Sequence, residues 1–178
     1  MRSETGFSLI EVIVATGILA TGLLGLAGIF TLGMRHVASS SPALVAREKA
    51  REAIESVHAA RDTGMLSWAR IRNDAQGGVF VSGERPLGVA GADGLVNTAD
   101  DGEVERLRTP GPDGILGNDD DGLTPLDGFT REIRIADLMR DDGSGVNPNL
   151  RQITVIVRYR VERAWRSYTL TTFVSSFS

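Results

Sequence analysis

Cysteine is absent from this chain. Its absence excludes a disulfide framework, a thiolate nucleophile and a thiolate metal site. Histidine is scarce, with only His36 and His58 present. A His-rich metal site is excluded with it. Positive charge is outnumbered: 19 Lys and Arg stand against 23 Asp and Glu, a net charge of −4. That balance argues against a strongly basic nucleic-acid-binding surface, and no nucleic-acid partner is expected. No nucleophile motif or phosphate loop stands out, so the chain reads as a non-enzyme without an organic cofactor. The 178 residues amount to one domain's length. Glycine is the residue in excess, with 21 copies, or about 12% against a usual ~7%.

One long apolar run is present. Val12 to Met34 is 23 residues without a charge, closed by Glu11 and Arg35. A spanning helix needs ~20 apolar residues at ~1.5 Å rise each. Within lipid, such a segment can satisfy its backbone only as a helix. Gly17, Thr21 and Gly25 place small residues at i, i+4 and i+8, as do Gly25 and Gly33 at i and i+8. Such a stripe lets a partner helix pack closely. The alternative is a plain anchor with no special face. A secretory signal peptide would have a basic head and an apolar stretch of ~7–15 residues. Here the run is longer, and the head MRSETG sets Arg2 and the α-amine against Glu4. Glu11 sits at the start of the run, where a carboxylate is costly unless paired. Nothing nearby in the chain pairs it well. A partner's free amine would.

Gly6-Phe7-Ser8-Leu9-Ile10-Glu11, followed by the apolar run, closely resembles the type IV prepilin signature. That family comprises type IV pilins and the pseudopilins of type II secretion. The resemblance is strong over residues 6–34 and architectural beyond. It implies that a membrane aspartyl peptidase cuts after Gly6 on the cytoplasmic side. Phe7 becomes the new N-terminus and is N-methylated. Glu11 accepts the Phe7 amine of a neighbouring subunit during assembly. The implied domains are a leader at 1–6, a membrane and assembly helix at 7–34, and an extracytoplasmic domain at 35–178. The implied partners are other pilin or pseudopilin subunits, the peptidase/N-methyltransferase and an inner-membrane assembly platform. The implied location is a single pass through the bacterial inner membrane, with later incorporation into a filament. Major pilins often carry proline in mid-helix. Gly28 at the matching position favours a minor or secretion-type subunit.

Past the run, Ser39-Ser40-Ser41-Pro42 reads as a weak point, since proline disfavours helix in the residue before it. Val45 to Ala60 is amphipathic. Ala46, Ala50, Ala53, Ile54 and Val57 recur at three- and four-residue steps. Gly64 is the expected stop, and Met65, Leu66 and Trp68 are expected core contacts. His36 and His58 read as solvated residues without matching ligands.

Residues 91–127 hold ten acidic and two basic side chains, a net of −8. They contain a near-repeat: GADGLVNTADDG at 91–102 and GPDGILGNDDDG at 111–122. Six of the twelve positions match at an offset of 20. Carboxylates alternating with glycines suit calcium, which takes six to eight oxygens. The candidate ligands are Asp93, Asn97, Asp100 and Asp101, then Asp113, Asn118, Asp119, Asp120 and Asp121. Neither copy has EF-hand spacing. A solvated acidic surface loop is the other reading, and both stay open.

The C-terminal third alternates. Ile153, Val155, Val157, Tyr159 and Val161 interleave with polar residues, and Tyr168, Leu170, Thr172 and Val174 form a second set. Phe129 to Ile135 is a third strand, with Arg131 as an exception on its apolar side. Asp141 to Asn149 reads as a loop, and Val79–Val81 as a short added piece. Arg131, Arg134, Arg151, Arg158, Arg160, Arg163 and Arg166 read as the wet face of the sheet. The fold class is α+β and pilin-like, a long N-terminal helix packed on a C-terminal antiparallel sheet. The function expected is a minor pilin or pseudopilin. The alternative is a monomeric, membrane-anchored extracytoplasmic calcium-binding module.

Overall fold

The computed structural model describes residues 8–177, and the side chains among them outside 31–40. Gly6 and Phe7 lie outside the described residues, as does the side chain of His36. One helix, α1, runs from Leu9 to Asp62. The chain divides into two compact units at Ser41/Pro42.

In the first unit, Leu9–Phe30 is long and apolar enough to cross a membrane, and none of it is buried. Membrane anchors and cleaved signal sequences share this composition. Its two threonines turn their hydroxyls onto the backbone. The Thr16 hydroxyl donates to the Val12 carbonyl at 2.8 Å, and that of Thr21 to the Ile18 carbonyl at 2.8 Å. Such bonds hide hydroxyls that lipid cannot satisfy.

The expected weak point at Ser39–Pro42 does not end the helix, because Pro42 lies inside α1. Proline there removes one ladder bond, a cost of roughly 3 kcal/mol. The division between units falls at this residue.

In the second unit, one face of α1 is buried: Ala46, Ala50, Ala53, Val57 and Ala60. The helix stops where Gly64 takes φ 74°, a left-handed value that glycine adopts freely. Leu66 then donates its N–H to the Ala60 carbonyl at 2.9 Å and buries its side chain. Met65, expected in the core, is exposed instead.

The main sheet is antiparallel. Its strands are β1 (Arg85–Pro86), β4 (Phe129–Met139), β5 (Val146–Val161) and β6 (Ala164–Ser175), in the order β1-β4-β5-β6. The strand β5 starts at Val146, inside the segment expected to be loop. The turn to β6 is Glu162-Arg163, with Glu162 at φ 54°. The fourth strand is β1, not Val79–Val81, where Phe80 makes only an isolated bridge to Asn73. Register places Ile133, Ile153, Val155, Val157, Tyr159 and Val174 on the face that packs against the alanine stripe. Small side chains on the helix let β-branched side chains of the sheet fill the layer between them. Each buried Val or Ile contributes ~1.5–3 kcal/mol.

Between helix and sheet, the chain is tied down by Asn73. Its side-chain amide donates to the Ile133 carbonyl at 2.7 Å and accepts from the Ile135 N–H at 2.9 Å. It thus bonds to β4 as a neighbouring strand would. Beside it, the Ser82 hydroxyl and the Ala75 and Ser82 amides hold the Asp74 carboxyl below its usual range. A second, two-stranded antiparallel sheet joins β2 (Arg106–Thr109) to β3 (Gly122–Pro125).

Candidate functional site

Three places carry the chemistry that the sequence singles out. The first is the start of α1. Glu11 lies in the first helical turn, where a carboxylate suits the positive end of the helix. Its N–H donates to the Ser8 carbonyl at 3.0 Å. Its side chain is exposed, and among the described residues it has no ion-pair partner. A carboxylate at the edge of an apolar run is costly unless it is paired.

The second place is the pair of glycine–aspartate turns. They are not a formless loop. Each is the tip of an antiparallel hairpin. The first is flanked by Leu87–Val89 and Gly102–Glu105, joined by bonds such as Glu105 N–H to the Leu87 carbonyl at 2.9 Å. The second is flanked by β2 and β3. Inside, the two share a bonding scheme. The Asp93 carboxylate accepts the Leu95 N–H at 2.8 Å, and Asp113 accepts Ile115 N–H at 2.8 Å. Asp101 Oδ2 accepts the Asn97 N–H at 2.7 Å, and Asp121 Oδ2 accepts Gly117 N–H at 2.6 Å. A Cβ at Gly91 would collide with Asp100, and one at Gly111 with Asp120. These glycines therefore exist to let the turn close.

The copies differ in surroundings. Leu95 and Val96 of the first enter the core, and Asn97 and Thr98 are buried with them. Asn97 donates from its side chain to the Val81 carbonyl at 3.0 Å. The Thr98 hydroxyl donates to Asp100 at 2.8 Å and, with the Asp93 amide, holds the Asp100 carboxyl below its usual range. In the second copy Ile115 and Leu116 are exposed, and Asp113, Asn118, Asp119 and Asp120 face solvent. Asn118 donates to Asp113 at 2.6 Å. The sequence-predicted ligands are thus gathered into two separate turns. Among the described residues, no three Asp, Glu, His or Cys side chains converge as metal ligands.

The third place was only hinted at in the sequence. Lys49, the sole lysine of the chain, pairs with Glu105 and, at 2.7 Å, with Glu52. Burial pulls the Lys49 ammonium down, but Glu105 and Glu52 outweigh it and leave its pKa raised. Arg131 of β4 is fully buried, and its Nη1 lies 3.8 Å from Glu105. At that distance there is charge contact but no hydrogen bond, so Glu105 Oε1 and Arg131 Nε and Nη1 go unsatisfied. Desolvation lowers the Arg131 pKa. The hint was Arg131, an arginine in an inward register position.

The arginines do not make one wet face. Arg131 and Arg151 point inward. Arg151 bonds to the Ile71 carbonyl at 3.0 Å and Asp137 at 3.0 Å, and lies 4.1 Å from the Trp68 ring centre. Arg134 is paired with Glu132, and Arg158 with Glu84.

Comparison with known proteins finds a prokaryotic N-terminal methylation motif over residues 1–27. No curated protein and no solved structure matches the chain. The motif is that of prepilin-like proteins, and the long N-terminal helix with a C-terminal antiparallel sheet matches a pilin-like architecture.

Proposed function

We propose that this chain is a minor pilin or pseudopilin, a non-enzymatic subunit of a type IV pilus or a type II secretion pseudopilus. The observation that carries the reading is the methylation motif over residues 1–27, at the head of a helix that packs on an antiparallel sheet. Prepilin peptidase cuts after Gly6, and the same machinery methylates the Phe7 amine. Before assembly the apolar helix crosses the bacterial inner membrane, with the remainder extracytoplasmic. An inner-membrane platform then moves it into a filament of related subunits. Most of the apolar burial is already made in lipid. Neighbouring contacts, with Glu11 accepting the Phe7 amine of the next subunit, must therefore supply the preference for the filament. The exposed, unpaired state of Glu11 among the described residues supports that role.

The test is the intact mass and N-terminal sequence of the protein from its native envelope. The expected result is a chain that begins at N-methylated Phe7. A start at Met1 overturns the reading and leaves a monomeric anchored module. In a second arm, Glu11→Gln is expected to insert in the membrane and fail to enter filaments. Leaving a buried charge unpaired costs about 3–5 kcal/mol.

A further inference from the structure

The near-repeat builds one hairpin turn twice, and the two copies end in different places. Their internal bonds match: Leu95 N–H donates to Asp93, and Ile115 N–H to Asp113, each at 2.8 Å. In the first copy the apolar pair of the turn is inserted into the protein's own core, with Leu95 and Val96 each 2% exposed. In the second the matching pair stands in solvent, with Ile115 63% and Leu116 59% exposed. The hairpin that carries it, β2–β3, pairs with no strand of the main sheet. Residues 111–122 also hold four acidic side chains and no basic one. Asp119 and Asp120 are exposed, and neither has an ion-pair partner among the described residues. A turn whose twin docks through its apolar pair thus offers the same pair outward, rimmed with negative charge.

One corner of the same chain has the opposite character. The β5–β6 hairpin ends in Arg160-Val161-Glu162-Arg163-Ala164-Trp165-Arg166. Trp165 is 59% exposed, and register sets it directly across from Arg160. Arg160, Arg163 and Arg166 are exposed, and none has an ion-pair partner among the described residues. The strand β6 is the last of its sheet, which leaves this corner without a neighbouring strand on that side. Tryptophan and arginine are the side chains that most often anchor protein interfaces. We infer that this corner of one copy receives the second turn of another copy. Ile115 and Leu116 pack on Trp165, and Asp119 and Asp120 meet Arg160, Arg163 and Arg166. Burial of the apolar pair supplies attraction, and the opposed charges fix the orientation and select the partner. The two patches differ, so the contact runs head to tail and leaves a free patch at each end for a further copy. The inference goes beyond the filament reading and does not rest on it, because unprocessed chains outside a filament carry both patches.

The chain has no cysteine of its own, which permits a clean crosslinking test. Full-length Pro112→Cys and an epitope-tagged Ala164→Cys, both at exposed positions, are mixed in detergent micelles with a short bismaleimide. A tagged heterodimer is expected. Pro112→Cys mixed with tagged Ser144→Cys, exposed in the β4–β5 turn, measures random collision and association through the apolar helix, and should react more slowly. Adding Leu116→Ala to the first chain or Trp165→Ala to the second is expected to slow the heterodimer about tenfold, as truncating an interface anchor does. Salt at ~1 M, where the screening length is ~3 Å, should slow it as well. Asp119→Arg with Asp120→Arg on the first chain should stop the reaction, and Arg160→Asp with Arg163→Asp on the second should restore it. All four side chains are exposed, so the variants should fold as the parent does. A rate no faster than the Ser144→Cys background overturns the inference. So does a rate unchanged by Leu116→Ala and Trp165→Ala, or a charge swap that fails to restore the reaction.

Discussion

Glu105 shows how one side chain can hold together elements far apart in sequence. It accepts Lys49 from α1, faces Arg131 from β4, and lies within the hairpin of the first turn. The two cations are not equivalent. Lys49 is in direct contact and partly buried, with its side chain 20% exposed, whereas Arg131 is sealed, with Nε and Nη1 unsatisfied. Removing the carboxylate leaves the sealed Arg131 without its counter-charge, while Lys49 keeps Glu52 at 2.7 Å, a loss of about 3–5 kcal/mol. Removing the guanidinium leaves Glu105 still paired with Lys49 and relieves two orphaned donors. Urea unfolding should therefore show Glu105→Gln less stable by that amount and Arg131→Met within ~1 kcal/mol of the parent or above it. Equal losses in the two variants would mean that Arg131 is the true partner. Arg131 was visible in the sequence as a charged residue in an apolar register position. Its partner was not, because Glu105 lies in a segment without periodicity, and nothing local says which acidic residue of many turns inward.

At the scale of elements, alternation and three-and-four spacing locate structure well. The stripe Ala46, Ala50, Ala53 and Val57 is the buried face of α1, and the alternation at Ile153–Tyr159 is the inner face of β5. Both patterns are periodic because one face meets a core. The near-repeat is legible for a different reason. Its six identities mark positions where closure leaves no choice, such as Gly91 and Gly111 against Asp100 and Asp120. Even the mismatch of Asn97 with Gly117 is conformational agreement, for both residues have positive φ, 66° and 104°. What local sequence does not reveal is which turn is buried, since Leu95-Val96 and Ile115-Leu116 are alike in hydrophobicity. Tertiary contact decides that. The consequence is measurable. Leu95→Ala empties a core site and should cost ~2–5 kcal/mol, while Leu116→Ala, at an exposed position, should stay within about 0.5 kcal/mol. Thermal or urea unfolding of the two variants decides it, and similar losses would mean that the second turn is also packed.

For the whole molecule, the division at Ser41/Pro42 has consequences for folding. Every buried apolar side chain among the described residues lies between Ala46 and Val174, and none lies in Leu9–Phe30. Among its described residues the first unit has no core to lose, and its apolar surface has the length and composition of a spanning helix. The second has a helix face, a four-stranded sheet and a covering hairpin, enough to bury its own apolar area. The boundary falls where Pro42 already breaks the helix ladder, and proline is tolerated in a helix's first turn. A chain that begins at Pro42 therefore starts its helix at a permitted residue and keeps all of the core. Such a fragment is expected to be soluble, to unfold in one cooperative transition and to match the urea midpoint of the full chain in detergent. A lower midpoint or a non-cooperative transition would show that residues before Pro42 contribute to the fold. Matching midpoints would show that the second unit holds its fold without the residues before Pro42.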